Sequence, residues 1–345
     1  MHAREYNVET YLIDSDLSFT IAYEKDSAGL PANGGLRFYQ YADVKNQEAE
    51  AIVLATHMTE KHRIYNTGFS GVKIVANGQN NPENKRKLLT YVGNVLNKHK
   101  GSIYTGCDLN INNEDMEFLC TVSPYVLNAM GSNINTSEAT GYGVYGSLMA
   151  VLARAESDKS RPLEFIIHGA GKIGSVLANK LISSGHKVYT YDVNPAHADI
   201  PGAINISANE NWYEMKCDYL LLCSASNIIT PANAEKINCK WIVSSANHPF
   251  SSPNVISVLE EKNIFWIPDV VSNAGAVICD SIEFKQPEKY RSIEPDRIYN
   301  FVYKVIYHKT NNLLTLADNY KISPQEALDV FLSMAKNADI AQLIK

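Results

Sequence analysis

The sequence predicts an α/β protein of two domains, one of them a doubly wound parallel sheet. Three observations carry that expectation. The chain has 345 residues, 45% of them hydrophobic, enough to bury about two separate cores. Between residues 165 and 280 short apolar runs alternate with helical periods, the pattern of repeated strand–helix units. Where that alternation begins, in EFIIHGAGKIG, an apolar run passes through Gly169, Gly171 and Gly174 straight into a helical period.

Taken in order, Tyr11 to Ile13 and Phe19 to Tyr23 read as strands, followed by a glycine turn in PANGGLRFYQY. Glu48 to Lys61 is a helix with an apolar stripe of Ala51, Leu54, Ala55 and Met58. Gly68 and Gly71 precede the strand VKIVA, and Pro82 and Glu83 open a helix that runs to about Lys98. GSIYTGCDLNINNEDM reads as loop until Asn113 caps a short helix, in which Asp115 is an N-terminal charge. A longer helix spans about Ala139 to Arg154, and the charged ESDKSRP leads into the alternating region. There Phe165 to His168, Lys187 to Tyr191, CDYLLLCSA, KWIVSSAN and FWIPDVV are strands, with helices between them. Helices at about Pro295 to Tyr320 and Pro324 to Asn337 close the chain.

The three glycines spell G-x-G-x-x-G, which a chain with 19 glycines contains by chance about one time in twenty. Context strengthens the reading, because strand, tight turn, helix and second strand follow one another and Asp192 closes the second strand. A pyrophosphate must approach the backbone at a helix N-terminus, and side chains at Gly169, Gly171 and Gly174 would hold it away; Lys172 and Ile173 share that turn. Asp192 can accept hydrogen bonds from ribose hydroxyls and repels a 2'-phosphate, so NAD is expected rather than NADP. Ligands of such sheets bind at the C-terminal ends of the strands. The loops SASN (Ser224, Ala225), SANHPF (Asn247, His248) and SNAGAVICD (Asn273) are therefore expected to line the cofactor site.

Composition narrows the remaining classes. Net charge is −6 and the Lys and Arg residues are dispersed, so no basic face recommends nucleic acid. The six cysteines form no C-x-x-C pair and none has a histidine at ligand spacing, which reads as reduced cytoplasmic thiols without structural zinc. MHAREYNVET lacks the apolar core of a signal peptide, and no run approaches membrane-spanning length. A soluble cytoplasmic protein is expected.

A dinucleotide domain alone does not identify the hydride donor. GGLRF, HMTEK ending at Lys61, GFSGVK ending at Lys73, CDLN around Asp108, EATGYGVYG, GAGKIG, SSAN and PDVVSNAGAVI resemble, in order, the signature segments of the glutamate, leucine, phenylalanine and valine dehydrogenase family, with the leucine dehydrogenase branch nearest in length. The resemblance implies oxidation of an L-amino acid to an imino acid by hydride transfer to NAD, then hydrolysis to the 2-oxo acid and ammonia. It implies that Lys61 holds the substrate carboxylate, with Gly34 and Gly35 in the substrate site. Lys73 would be the catalytic lysine, its pKa drawn toward neutrality by a second ammonium and by desolvation so that it can exchange protons with the attacking water. Asp108 would exchange protons with the substrate amine. Thr140 would help fix the nicotinamide, and Asn273 would orient its amide or the substrate amine. A homo-oligomer, dimeric or larger, is also implied.

Domain boundaries follow the same reading: 1–135 as substrate-binding and oligomerisation domain, rejoined by helices at about 306–345, and 136–305 as a Rossmann NAD domain, with a cleft between them. The departures bear on specificity. The family's Gly-Gly-Gly-Lys turn is Phe69-Ser70-Gly71-Val72-Lys73 here, and His248 stands for the second asparagine of Ala-Asn-Asn, as a substrate contact or a plain loop residue. In the branched-chain enzymes the positions of Asn33, Gly106, Val277 and Asp280 are apolar. An amide and a carboxylate at two of them point to a polar or cationic substrate side chain, with a leucine-type pocket as the alternative. A buried Asp280 is expected to have a cation beside it or to face water. Two other classes stay open: a non-catalytic NAD or amino acid sensor, which retention of Lys73 and Asp108 disfavours, and a hydroxy acid dehydrogenase, for which no His, carboxylate and Arg set is present near the loops.

Overall fold

The computed structural model describes residues 5–154 and 161–334. Two compact units result: the chain up to Asn133 together with Asp280–Ser292, and Ile134–Cys279 together with Ile293–Met334.

The first unit contains β1 (Tyr6–Leu12), β2 (Ser18–Glu24), β3 (Ala32–Tyr39), α1 (Val44–Tyr65), β4 (Ser70–Asn77), α2 (Pro82–His99), β5 (Ile103–Cys107) and α3 (Asn113–Val122). Its sheet runs in the order β1-β2-β4-β3-β5. β1 and β4 are antiparallel to β2, whereas β3 is parallel to both β4 and β5. Alternation divides each strand between two layers. Leu36, Phe38, Val72, Ile74 and Ala76 join the core under α2 and α3 with Leu88, Val92, Met116 and Leu119. Val75 and Ala22 face α1 and pack on Ala51, Leu54 and Ala55. Residues of the same parity, Arg37 of β3 and Lys73 of β4, therefore project on the α1 side.

The second unit contains α4 (Thr136–Arg154), β6 (Glu164–His168), α5 (Lys172–Ser183), β7 (Lys187–Tyr191), β8 (Ile204–Asn205), β9 (Tyr219–Leu222), α6 (Pro231–Ala234), β10 (Trp241–Ser244), α7 (Pro253–Glu261), β11 (Phe265–Trp266) and α8 (Asp269–Ser272). The helices α9 (Gly275–Lys285), α10 (Pro287–Ser292), α11 (Pro295–Tyr320) and α12 (Pro324–Met334) follow, with α9 passing from one unit to the other. The sheet is parallel throughout, in the order β11-β10-β9-β6-β7-β8. Counted from β6 this is 6-5-4-1-2-3, the doubly wound Rossmann arrangement, with its switch point between β6 and β9.

Four local expectations are corrected. PANGGLRFYQY is not a turn: Ala32–Tyr39 is β3, and its glycines serve close approach, since a Cβ on Gly34 would lie 1.7 Å from the carbonyl oxygen of Val72. Ile103–Cys107, read as loop, is the edge strand β5, where Gly106 lets the carbonyl of Leu127 approach to 2.3 Å from the position of a Cβ. The cap of α3 is Asn112 rather than Asn113, in a reciprocal capping box with Asp115, which also pairs with Lys85 at 2.8 Å. The chain does not return to the first unit at residue 306. Instead 280–292 does, while α11 stays in the second unit because Val302, Tyr303 and Ile306 press on α4 where Gly143 and Gly146 lack side chains. Residues 335–345 of the expected return lie outside the described residues. Among the described residues no helix is long and apolar enough to cross a membrane, and no cluster of three or more His, Cys, Asp or Glu is placed to hold a metal.

Candidate active site

Lys61, Lys73, Asp108, Asn33, Gly34, Gly35, Gly106 and Asp280 all belong to the first unit. Lys73 is buried and its Nζ lies 2.7 Å from Oδ2 of Asp108, at the C-terminal end of β5. The same oxygen accepts a hydrogen bond from Arg37 Nε at 2.9 Å, and Arg37 donates through its other arm to Glu50 of α1 at 2.7 Å. Burial drives the Lys73 ammonium below the ordinary lysine range; Asp108 opposes this and Arg37 adds to it. The depression thus has burial and a guanidinium as its causes rather than a second ammonium. Burial pushes the Asp108 carboxyl up, but Lys73 and Arg37 together outweigh it and hold the group well below the usual carboxylate range. Arg37 is the functional candidate that spacing alone missed. The signal available was its parity with Lys73 across two parallel strands.

The glycines divide by role. A Cβ on Gly35 would stand 2.9 Å from Asp108 Cβ and 3.2 Å from Lys73 Nζ, so this glycine lets the pair pack directly against β3. Gly34 and Gly106 instead admit neighbouring backbone. Gly71 has the decisive packing role in the changed Phe69–Lys73 turn: a Cβ there would come within 2.2 Å of the Thr59 nitrogen. The bare backbone seats α1 on β4, and Lys73 reaches Asp108 without the other two glycines. Lys61 is buried near the C-terminal end of α1.

Asn33 is fully buried, and its Nδ2 donates to Oδ2 of Asp280 at 2.9 Å. Its Oδ1 is buried without a partner among the described residues. The Asn33 carbonyl is bonded by His62 Nε2 at 2.9 Å, and burial holds that imidazole neutral, its pKa down to about 4. Of the two expectations for Asp280, no cation stands beside it among the described residues, and the residue is partly exposed. Burial raises its carboxyl to about 8, the Asn33 amide opposing and the carboxyl of Glu283 adding to the rise. The chain meets the cost of a partly buried acid by keeping it protonated rather than by pairing it.

Thr140, Gly169, Gly171, Lys172, Ile173, Gly174, Asp192, Ser224, Ala225, Asn247, His248, Asn273 and Val277 belong to the second unit. Gly169 has φ +96°, and a Cβ on Gly174 would sit 2.0 Å from the Gly169 carbonyl oxygen, so α5 closes tightly on the turn. Nothing lies within 4 Å of the position of a Cβ on Gly171, the uncapped N-terminus of α5, with Lys172 exposed beside it and Ile173 half-buried. Open amides at a helix N-terminus suit a pyrophosphate. Asp192 Oδ2 accepts from the Ala170 amide at 2.9 Å, tying the end of β7 to the glycine turn. Ser224 bonds His168 Nδ1 at 2.7 Å across the switch point, and Ala225 beside it is exposed. Asn273 donates from Nδ2 to the carbonyl of Ser245 and to Oδ1 of Asn247, whereas its own Oδ1 is buried without a partner among the described residues. An acceptor left open next to Thr140, on whose backbone Gly275 packs, fits the carboxamide of a nicotinamide. His248 takes φ +48° and its amide donates to Asp269; Val277 is buried in α9. The residues present therefore fit NAD. Gly174→Ala is expected to weaken NAD binding at least tenfold in a titration, because the added methyl must push α5 off the turn.

The sequence model described as Glutamate/Leucine/Phenylalanine/Valine dehydrogenase matches residues 195–345. A leucine dehydrogenase of Thermoactinomyces intermedius is 29% identical over 80% of this chain and 77% of its own length. A phenylalanine dehydrogenase of Caldalkalibacillus thermarum is 26% identical over 92% of this chain and 86% of its own. The chain is thus similar, over most of its length, to the glutamate, leucine, phenylalanine and valine dehydrogenase family. It is an amino acid dehydrogenase, an oxidoreductase that works with NAD. Its fold matches that of L-tryptophan dehydrogenase from Nostoc punctiforme, with TM-score 0.75 at 21% identity over 95% of this chain and 94% of the other. The hetero-hexameric glutamate dehydrogenase from Thermus thermophilus gives TM-score 0.78 at 19% identity over 95% and 88%.

Proposed function

We propose that this dehydrogenase oxidises an L-amino acid with a polar or cationic side chain to its 2-oxo acid and ammonia, reversibly, with Lys73 and Asp108 as proton-handling groups. The observation that supports the reading best is the Lys73–Asp108 pair, 2.7 Å apart and packed against Gly35 where no side chain fits. Lys61 holds the substrate carboxylate as a compact cation. Asp108 takes a proton from the substrate ammonium, which frees the nitrogen lone pair that drives hydride departure from Cα. NAD supplies the hydride acceptor. Lys73, in its neutral form, then takes a proton from the water that attacks the imine carbon and returns it as ammonia leaves. In the second unit Thr140 and Asn273 orient the nicotinamide amide, Gly169, Gly171, Lys172, Ile173 and Gly174 cradle the pyrophosphate, and Asp192 receives the ribose. Residues 280–292 complete the substrate unit, so Asp280 with Asn33 meets the substrate side chain. Asn33 Oδ1 and the carboxyl of Asp280 offer acceptors for an amide, hydroxyl or ammonium. A branched-chain preference is the second reading, favoured by the leucine dehydrogenase similarity. We further propose a homo-oligomer in the cytoplasm, where the cofactor pool is held.

The deciding assay is NADH formation at alkaline pH with the twenty amino acids, ornithine and diaminobutyrate, with Lys73→Ala as control. Turnover is expected to be highest with a polar or cationic substrate. Silence across the panel while NAD still binds would leave a nucleotide-binding protein without this reaction.

A further inference from the structure

We propose that Arg37 is a positioning residue of the reaction: anchored by Glu50, it fixes the Asp108 carboxylate and shares it with Lys73, so that Lys73 is not locked into a one-to-one ion pair. This rests on the reading of Lys73 and Asp108 as the proton-handling groups.

Four charged groups alternate in sign along one line. Glu50 of α1 accepts from one arm of Arg37, and Asp108 Oδ2 accepts from Arg37 Nε at 2.9 Å and from Lys73 Nζ at 2.7 Å. Both cations are spent on a single oxygen. The guanidinium is a rigid fork, and with one arm fixed on α1 the other sets where the carboxylate stands. Arg37 is largely removed from water, its side chain 14% exposed, so its field on both neighbours is weakly screened. Without it, Lys73 would face the whole charge of Asp108 alone, and its ammonium form would gain. A lysine that must lose its proton to act works at neutral to moderately alkaline pH only if that attraction is diluted. The other groups facing the cluster are Lys61, three turns beyond Glu50 on the same face of α1, Tyr41 after β3, and Cys107 beside Asp108.

The test compares pH profiles of kcat/KM for wild type, Arg37→Gln, Arg37→Lys and Glu50→Gln on an amino acid that the wild type oxidises, with NAD affinity and thermal melting measured on each. Deamination rises as Lys73 loses its proton. Arg37→Gln removes a cation from Lys73, so its rising limb is expected about one pH unit higher, with kcat near pH 8 down at least about tenfold. Glu50→Gln removes a carboxylate, so its limb is expected to move the other way, to lower pH. Arg37→Lys keeps the charge without the fork and is expected to restore the limb but only part of kcat. Opposite displacements are something a merely structural role would not produce. Limbs that stay in place, or move together, in folded variants with unaltered NAD affinity overturn the proposal. Should Arg37→Gln fail to fold, an unmoved limb in Glu50→Gln overturns it alone. Wild-type silence on every amino acid instead removes the reading on which it rests.

Discussion

Lys73→Ala is expected to lower kcat for deamination by about 10²- to 10⁴-fold while leaving NAD affinity unchanged, as measured by steady-state NADH formation and by cofactor titration. The asymmetry follows from where the residue sits. Lys73 belongs to the first unit, whereas the glycine turn and Asn273 belong to the second. Lys73→Arg is expected to be nearly as inactive, although it keeps a cation beside Asp108, because a guanidinium does not release its proton at any working pH. The pH dependence has a definite sign. Burial favours the neutral amine of Lys73 in the folded protein, so the active form is populated at lower pH than the ordinary lysine value of 10.5 would allow. Wild-type activity should therefore climb with pH on a limb lying below 10.5, and the residual activity of Lys73→Ala should lack that limb. A variant that retained both kcat and limb would remove Lys73 from the chemistry.

Legibility in the sequence followed the range of the interaction. The glycine turn was readable because its whole logic lies within Gly169 to Asp192: a positive φ, a close approach and a carboxylate that closes the loop onto the Ala170 amide. The strands β6, β9 and β10 were readable for a similar reason, since strands buried on both faces are continuous apolar runs. β3 was misread because two adjacent glycines normally mark a turn, whereas here each answers a neighbour that the local sequence does not contain, the Val72 carbonyl for Gly34 and Asp108 with Lys73 for Gly35. Arg37 was missed because its partner Asp108 is 71 residues away, and only the parallel register of β3, β4 and β5 brings them together. The return of 280–292 to the first unit has no local sign at all. It rests on contacts such as Asn33 to Asp280, separated by 247 residues, and Glu283 to the Ala129 amide.

That return supplies the other large expected effect. The preference of the wild type for a cationic side chain such as ornithine or lysine over leucine is expected to grow as pH rises through about 8, because Asp280 is a neutral acid below that value and a carboxylate above it. A hydrogen bond to a charged group adds about 1.5–3 kcal/mol, so the ratio of kcat/KM values should change by roughly 10- to 100-fold across the transition. Asp280→Asn is expected to flatten that dependence, and Asp280→Leu to invert the preference toward leucine. A leucine preference in the wild type that is indifferent to pH would remove Asp280 from the specificity site. Stability carries an independent signature of the same group. Its folded pKa, about 8, lies above the ordinary value of 3.8, so the folded state holds the proton more tightly and Asp280 destabilises the fold progressively as pH rises from about 4 to about 8. Asp280→Asn keeps the partner for Asn33 and loses the titration, so its gain in Tm over wild type should be largest above pH 8 and shrink toward pH 4. Partial exposure limits the gain to about 2 kcal/mol. On the proposed specificity, preference and destabilisation have one cause: a carboxyl that is to meet a cationic substrate has no cation beside it among the described residues.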